Sequence, residues 1–132
     1  MKVTAVRRNA MVDNFCAQHN SGTVNIYAAN VGVPADADAA NTNTLLCTLT
    51  FGSTAFGAAS GGVATANSIS QDTDADATGT AAFARTAASG GTVLGQWSVG
   101  TSGAEINLNT LSIVQHATVS ITSMTITMGV GT

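Results

Sequence analysis

Between Thr118 and Met128 apolar residues alternate with Ser and Thr, and then the alternation slips. Val119 and Ile121 fall on odd positions, whereas Met124, Ile126 and Met128 fall on even ones. Strand side chains alternate faces with period two, so the slip requires one extra residue, a β-bulge at Thr122–Ser123. Every residue between the apolar ones is Ser or Thr, and none is charged. A strand with one apolar and one hydroxyl face belongs in a two-layer antiparallel structure.

Residues 5–19 carry a different period. Met11, Val12, Phe15, Cys16 and His19 recur at spacings of three and four, while Asp13, Asn14 and Gln18 fall elsewhere. This predicts one amphipathic helix. Asn20-Ser21-Gly22 ends it, with Gly22 suited to the left-handed conformation. From there the period is two. Val24, Ile26 and Ala28 alternate in Thr23–Ala28; Leu45, Cys47, Leu49 and Phe51 share one face of Leu45–Phe51, with Leu46, Thr48 and Thr50 on the other. Val63–Ile69, Thr80–Thr86 and Thr92–Val99 read as further strands, the last with Val93, Gly95, Trp97 and Val99 in one phase. Short apolar pieces follow at Glu105–Leu108 and Leu111–Val114. Between them lie a loop over 29–43 with Pro34, Asp36 and Asp38, a small-residue segment Gly52–Gly62 carrying Phe56, and a polar acidic loop Gln71–Gly79.

About eight short strands after one helix predict a mainly β chain, an antiparallel β-sandwich or jelly-roll-like fold with one N-terminal α-helix. A length of 132 residues fits one domain, with 1–20 as an N-terminal arm and helix and 22–128 as the sandwich.

Composition changes this picture in one respect. Charged residues make up 8% of the chain, against roughly 25% in ordinary soluble domains. A surface so poor in charge gains little solubility from repulsion and suits a protein that works assembled. The charge is also unevenly placed. Lys2, Arg7 and Arg8 precede every acid, and beyond them Arg85 is the single basic residue against seven acids. A groove tracking nucleic-acid phosphates needs several spread cations, so direct nucleic-acid binding is not expected. Arg7 and Arg8 sit in the first helical turns, where the dipole disfavours positive charge. Lys2, Arg7 and Arg8 are therefore the candidate partner-contact residues, with a solvated N-terminus as the competing account. Arg7 and Arg8 also interrupt the stretch where a signal-peptide core would lie, and no run of about 18 apolar residues exists, so synthesis in the cytosol without membrane partners is expected.

Candidate chemistry is sparse. Asp72, Asp74 and Asp76 have the spacing of the first three ligands of a calcium loop, but Ala77 and Phe83 stand where such a loop needs glycine and glutamate. A solvated acidic loop between strands accounts for them as well. Cys16 and His19 form a Cys-x-x-His pair that Cys47 and His116 would complete for zinc. No second closely spaced pair exists, and core packing explains a Cys and His on the buried helix stripe. There is no Gly-x-Ser-x-Gly elbow, and Lys2 is the sole lysine, which leaves no phosphate-binding loop. No catalytic residue, metal ligand or cofactor site is therefore assigned. Trp97 and Tyr27 are candidates for stacking on a sugar, with packing as the competing account.

Arg8-Asn9-Ala10 opening the helix, Gly22–Tyr27 (GTVNIY), Pro34 in a small-residue loop, Thr44–Phe51 (TLLCTLTF), Ala55–Gly62 (AFGAASGG) and the closing Thr118–Met128 follow in that order. In these features the chain, over about residues 7–128, resembles the small Ala/Gly/Thr-rich virion structural proteins of tailed bacteriophages. The resemblance implies a head decoration, cement or tail-associated protein in the virion, with no catalytic residue to carry over. The expectation is a capsid cement or decoration protein that bridges major capsid subunits and associates with itself as a dimer or trimer. The alternatives are a neck or tail structural protein (collar, adaptor or fibre attachment) and a carbohydrate-binding module used in adsorption.

Overall fold

The computed structural model describes residues 1–129. It is mainly β, with one N-terminal helix, α1 (Ala5–Ala17). The strands are β1 (Thr23–Tyr27), β2 (Leu45–Phe51), β3 (Val63–Thr65), β4 (Ile69–Ser70), β5 (Gly79–Thr80), β6 (Phe83–Ala87), β7 (Val93–Gly100), β8 (Ile106–Leu108), β9 (Ser112–Ile113) and β10 (Ile121–Thr127). Eight of them form one sheet in the order β3-β10-β8-β7-β6-β1-β2-β4, and β5 pairs with β9 in a separate ribbon.

The two edges of the large sheet, β3 and β4, are consecutive in sequence, joined only by 66–68. Four Cα steps of about 3.8 Å hold Thr65 and Ile69 within about 15 Å of each other. The sheet therefore curls until its edges meet, and its two halves face one another across a single core. The fold is sandwich-like, as the alternation predicts. Among the described residues all strand pairs are antiparallel except β7 with β8, which the five residues 101–105 join in parallel. Parallel neighbours ordinarily need a crossover of a dozen or more residues. Here the tight return is stapled: the Glu105 carboxylate accepts from the Ser98 N–H and hydroxyl at 3.1 and 3.2 Å, and the Asn107 amide bridges Ala104.

The core holds Val24 and Ile26 of β1, Leu46, Cys47, Leu49 and Phe51 of β2, Ile106 and Leu108 of β8, and Met124 and Ile126 of β10. Each fully buried side chain of this size contributes roughly 1.5–3 kcal/mol relative to exposure. Helix α1 closes the core with Val12 and Cys16. Its start is capped weakly, the Thr4 hydroxyl accepting from the Arg7 N–H at 3.4 Å, so tertiary contacts must hold it. One such set is polar. Asn9, Asp13 and Asn20, at spacings of four and seven, accept the backbone N–H groups of Gly62, Ala59 and Ala55 at 2.8, 2.7 and 2.9 Å. The small-residue segment Gly52–Gly62 thus lies along the helix and the turn after it by its backbone, with Phe56 its one large side chain, buried in the core.

Among the described residues three strand pairs carry bulges. The β10–β8 register passes from Ile121 opposite Leu108 to Ser123 opposite Asn107, leaving Thr122 as the extra residue, where the phase slip predicts it. In β1–β2, Ile26 faces Cys47 but Tyr27 faces Leu45. Leu46 is the inserted residue. It is fully buried while Leu45 is only half-buried, so the even alternation expected for Leu45–Phe51 fails at its first two positions. In β6–β7 the extra residue is Leu94, and Val93 is left exposed, out of the phase it was expected to share with Trp97.

Other expectations shift in detail. The helix ends at Ala17, not at residue 19, and His19 lies in the turn that follows. Ser21, with φ 58°, takes the left-handed conformation, and Gly22 does not. Gly22 is needed for space: a methyl group there would overlap the Ala87 carbonyl oxygen. The single strand expected over Val63–Ile69 is two, β3 and β4, because its halves join opposite edges of the sheet. The strand expected over Thr80–Thr86 likewise divides between the small ribbon and β6.

Candidate functional surfaces and the buried histidine

Register across the central strands sorts residues onto two faces. Thr48, Asn25, Arg85 and Gln96 are cross-strand neighbours on the outer face of β2, β1, β6 and β7. Thr48 donates to Asn25 at 3.1 Å, and Arg85 Nε donates to Gln96 at 3.0 Å. Arg85 is 7% exposed, and among the described residues no carboxylate pairs with it. Its Nη2 donates instead to the carbonyls of Asp36 and Ala39 at 3.1 and 2.7 Å, while Gln96 Nε2 donates to that of Pro34 at 2.8 Å. The loop over 29–43 is thereby pinned onto the sheet. Buried Asn43 tightens it from within, accepting from Val31 N–H and donating to the Gly32 carbonyl. The sequence marks Arg85 only as an isolated charge; nothing local in it signals that a loop covers the residue.

On the inner face, His19 is completely buried. Its ring lies 4.9, 5.4 and 5.6 Å from those of Phe15, Phe51 and Phe56. Nδ1 is 3.0 Å from the Phe15 carbonyl, which can only accept, so Nδ1 carries the proton. Nε2 then accepts from the Thr86 hydroxyl at 2.9 Å, and that oxygen accepts from Trp97 Nε1 at 2.9 Å. Every donor in this relay has an acceptor while the imidazole stays neutral. Burial lowers the His19 pKa below its ordinary value, and the Phe15 carbonyl opposes this only in part.

The Cys-x-x-His pair therefore packs as core. Both His19 nitrogens are engaged, and burial pushes the Cys16 thiol up to about 11, with Asp13 adding to the shift. The Cys47 thiol rises to about 12, chiefly through burial and further through Asp72 and Asp76. His116 lies elsewhere, exposed on a left-handed turn, with Nδ1 2.6 Å from Asp74. The acidic loop carboxylates are used one by one. Asp72 accepts from the Thr48 and Asp74 N–H groups at 2.9 Å each, and Asp74 pairs with His116. Among the described residues no three His, Cys, Asp or Glu side chains gather closely enough to hold a metal ion.

Trp97 is half-buried with its N–H committed to Thr86 and its ring centroid 6.1 Å from that of Phe15. Tyr27 stacks on Phe83 at 5.3 Å. Both are packing residues first. Of the basic residues, Lys2 and Arg7 stand exposed, whereas Arg8 is half-buried and donates to the Val3 carbonyl at 2.7 Å. The structure thus separates Arg8 from the other two.

The closing strand borders the seam where the curled sheet meets itself. The Ala66 N–H donates to the Met124 carbonyl, and Asp72 and Val119 exchange both backbone bonds at 2.9 and 2.7 Å. Between these two anchors the chains part around a cleft of about 290 Å³, lined by Asn67, Ser68, Ile69, Ile121, Thr122 and Ser123. The bulge at Thr122 sits on its rim. No protein-family model, curated protein or solved structure matches this chain.

Proposed function

We propose that this chain is a structural protein of a tailed-bacteriophage virion, a capsid cement or decoration protein that bridges major capsid subunits. The observation that carries the reading is the chemistry of the exposed strand positions. Thr50, Thr65, Ser70, Thr122, Ser123 and Thr127 all face outward, and none of their strand neighbours on that surface adds an exposed charge. Such hydroxyl faces suit wet, hydrogen-bonded contacts built from many small contributions. The rigid curled sheet supplies a block on which these faces keep fixed relative positions. Commitment of the Trp97 N–H and the stacking of Tyr27 on Phe83 speak against a sugar platform at either residue.

Quantitative mass spectrometry of purified particles tests the reading. About one copy per major capsid subunit on isolated heads is the expected result. A few copies confined to the neck or tail would replace it with the collar, adaptor or fibre-attachment role, and absence from particles would overturn both.

A further inference from the structure

Two patches on this chain combine exposed apolar side chains with opposite charge. The first lies on the outward side of α1. Val3, Arg7, Ala10, Met11 and Asn14 recur at helical spacing and line a shallow groove, with Val6 beside it. Val6 is 74% and Met11 42% exposed, although the opposite helix side already supplies the core contacts through Val12 and Cys16. Lys2 and Arg7 are exposed here, and no acid occurs before Asp13.

The second patch is the loop over 29–43. Val31 is 64% and Val33 54% exposed, and Asp36 and Asp38 follow them at the surface. Arg85, the cation beneath this loop, is buried and spent on its carbonyls. The patch is also held in shape. Asp36 Oδ1 accepts from the Asp38 and Ala39 N–H groups at 3.0 and 2.9 Å, and Asn43 ties Val31 to Gly32. A preformed loop loses little entropy on docking. The two patches stand on different elements: α1 packs against β3 and β10, whereas the loop sits on β6 and β7.

We propose that the α1 groove of one copy docks on the 29–43 loop of a second copy, Val6 and Met11 against Val31 and Val33, with Arg7 facing Asp38. The match is one of chemistry at both levels. Each patch leaves apolar area in water that the other would cover, and each carries the charge that the other lacks. Because the two surfaces differ, a helix left over on one copy meets a loop left over on the next, and repetition closes a ring if the rotation allows it. The inference stands apart from the virion reading, since a monomeric chain would overturn it and leave that reading untouched.

Sedimentation equilibrium of the full chain over a range of concentrations is the test. The wild type is expected to associate, and to do so less in high salt, where the ion pair is screened. Arg7→Glu and Asp38→Lys are each expected to weaken association at least about tenfold. Arg7→Glu places an acid in the first helical turn, where the dipole favours it, so an unchanged or raised melting temperature shows that the fold is retained. Mixing the two variants is expected to restore association. One contact then joins a wild-type groove to a wild-type loop, and in the other the two introduced charges attract with their signs exchanged. A wild type that stays monomeric, an Arg7→Glu variant that associates normally, or a mixture that fails to recover would each overturn the pairing.

Discussion

His19 Nε2 lies 2.9 Å from the Thr86 hydroxyl, 67 residues along the chain, and the same oxygen takes the Trp97 N–H. This contact ties the turn after α1 to two strands of the sheet through one side chain. Thr86→Val keeps the shape and removes the hydroxyl. It strands a fully buried imidazole nitrogen, at a cost of roughly 1–3 kcal/mol, with a smaller loss at half-buried Trp97. Thr86→Ser keeps the oxygen and loses one methyl, about 0.8 kcal/mol or slightly more. Urea unfolding of the two variants checks this. A Thr86→Val variant as stable as the wild type would show that the hydroxyl contributes nothing.

The same histidine sets a pH dependence. Unfolded His19 takes up a proton as pH falls through its ordinary value of 6.5, whereas the buried ring, with its pKa lowered by desolvation, does not until a lower pH. The unfolded state therefore binds more protons below 6.5, and stability falls there as pH decreases. Above 6.5 this contribution is fully present and flat. The slope cannot exceed about 1.4 kcal/mol per pH unit for one proton. Urea midpoints measured from about pH 7.5 to about pH 5 are expected to fall in the wild type and to flatten in His19→Gln. A wild-type profile that stays level across that range would contradict the neutral buried ring.

Much of this fold is legible because its signals are local. The bulge in β10 and the presence of the helix follow from side-chain period alone, which backbone geometry enforces residue by residue. The features that were not legible depend on distant chain. Leu46 is buried because the acidic loop folds over it, Asp76 N–H donating to its carbonyl at 2.8 Å and Gly79 packing on its side chain. The halves of Val63–Ile69 part because each pairs with a different strand, β3 with β10 and β4 with β2, at opposite edges of the sheet. The surface candidates show the same division. Lys2 and Arg7 are where a basic helix start suggests, but Arg8 is taken by Val3, and the acidic loop spends Asp72 and Asp74 on backbone and His116.

Arg85 offers a test of how a buried cation without a carboxylate is held. Arg85→Met keeps the aliphatic stem and removes donors from Gln96 and from the Asp36 and Ala39 carbonyls. A loss of roughly 1–3 kcal/mol is expected, tempered because a buried charge is also removed. The more telling readout is local. Limited proteolysis is expected to cut within 29–43 sooner than in the wild type, while the remaining chain resists as before. Unchanged cleavage would mean that Asn43, together with Asn30, whose side-chain oxygen accepts the Thr44 N–H at 2.8 Å, holds the loop without the guanidinium.

Deleting Thr122 separates two accounts of the bulge. Without it the closing segment alternates perfectly, and Ile121 and Met124 still align with Leu108 and Ile106 on β8, so pattern and pairing are both improved. The seam imposes a different demand. Val119 is bonded to Asp72 on one side of the bulge, and Met124 accepts from Ala66 on the other. Removing one residue shortens the path between these anchors by about 3.4 Å. Both cannot then keep their partners unless the cleft between Ile69 and Ile121 closes. If the bulge exists to fit the seam, the deletion opens the Asp72–Val119 pair, costs about 1 kcal/mol for each hydrogen bond lost, and speeds amide exchange at Val119 and Asp72. If the bulge is slack that the sheet tolerates, exchange there is unchanged and stability holds or rises. The first outcome is expected, because the extra residue sits between the two anchors where the sheet closes on itself.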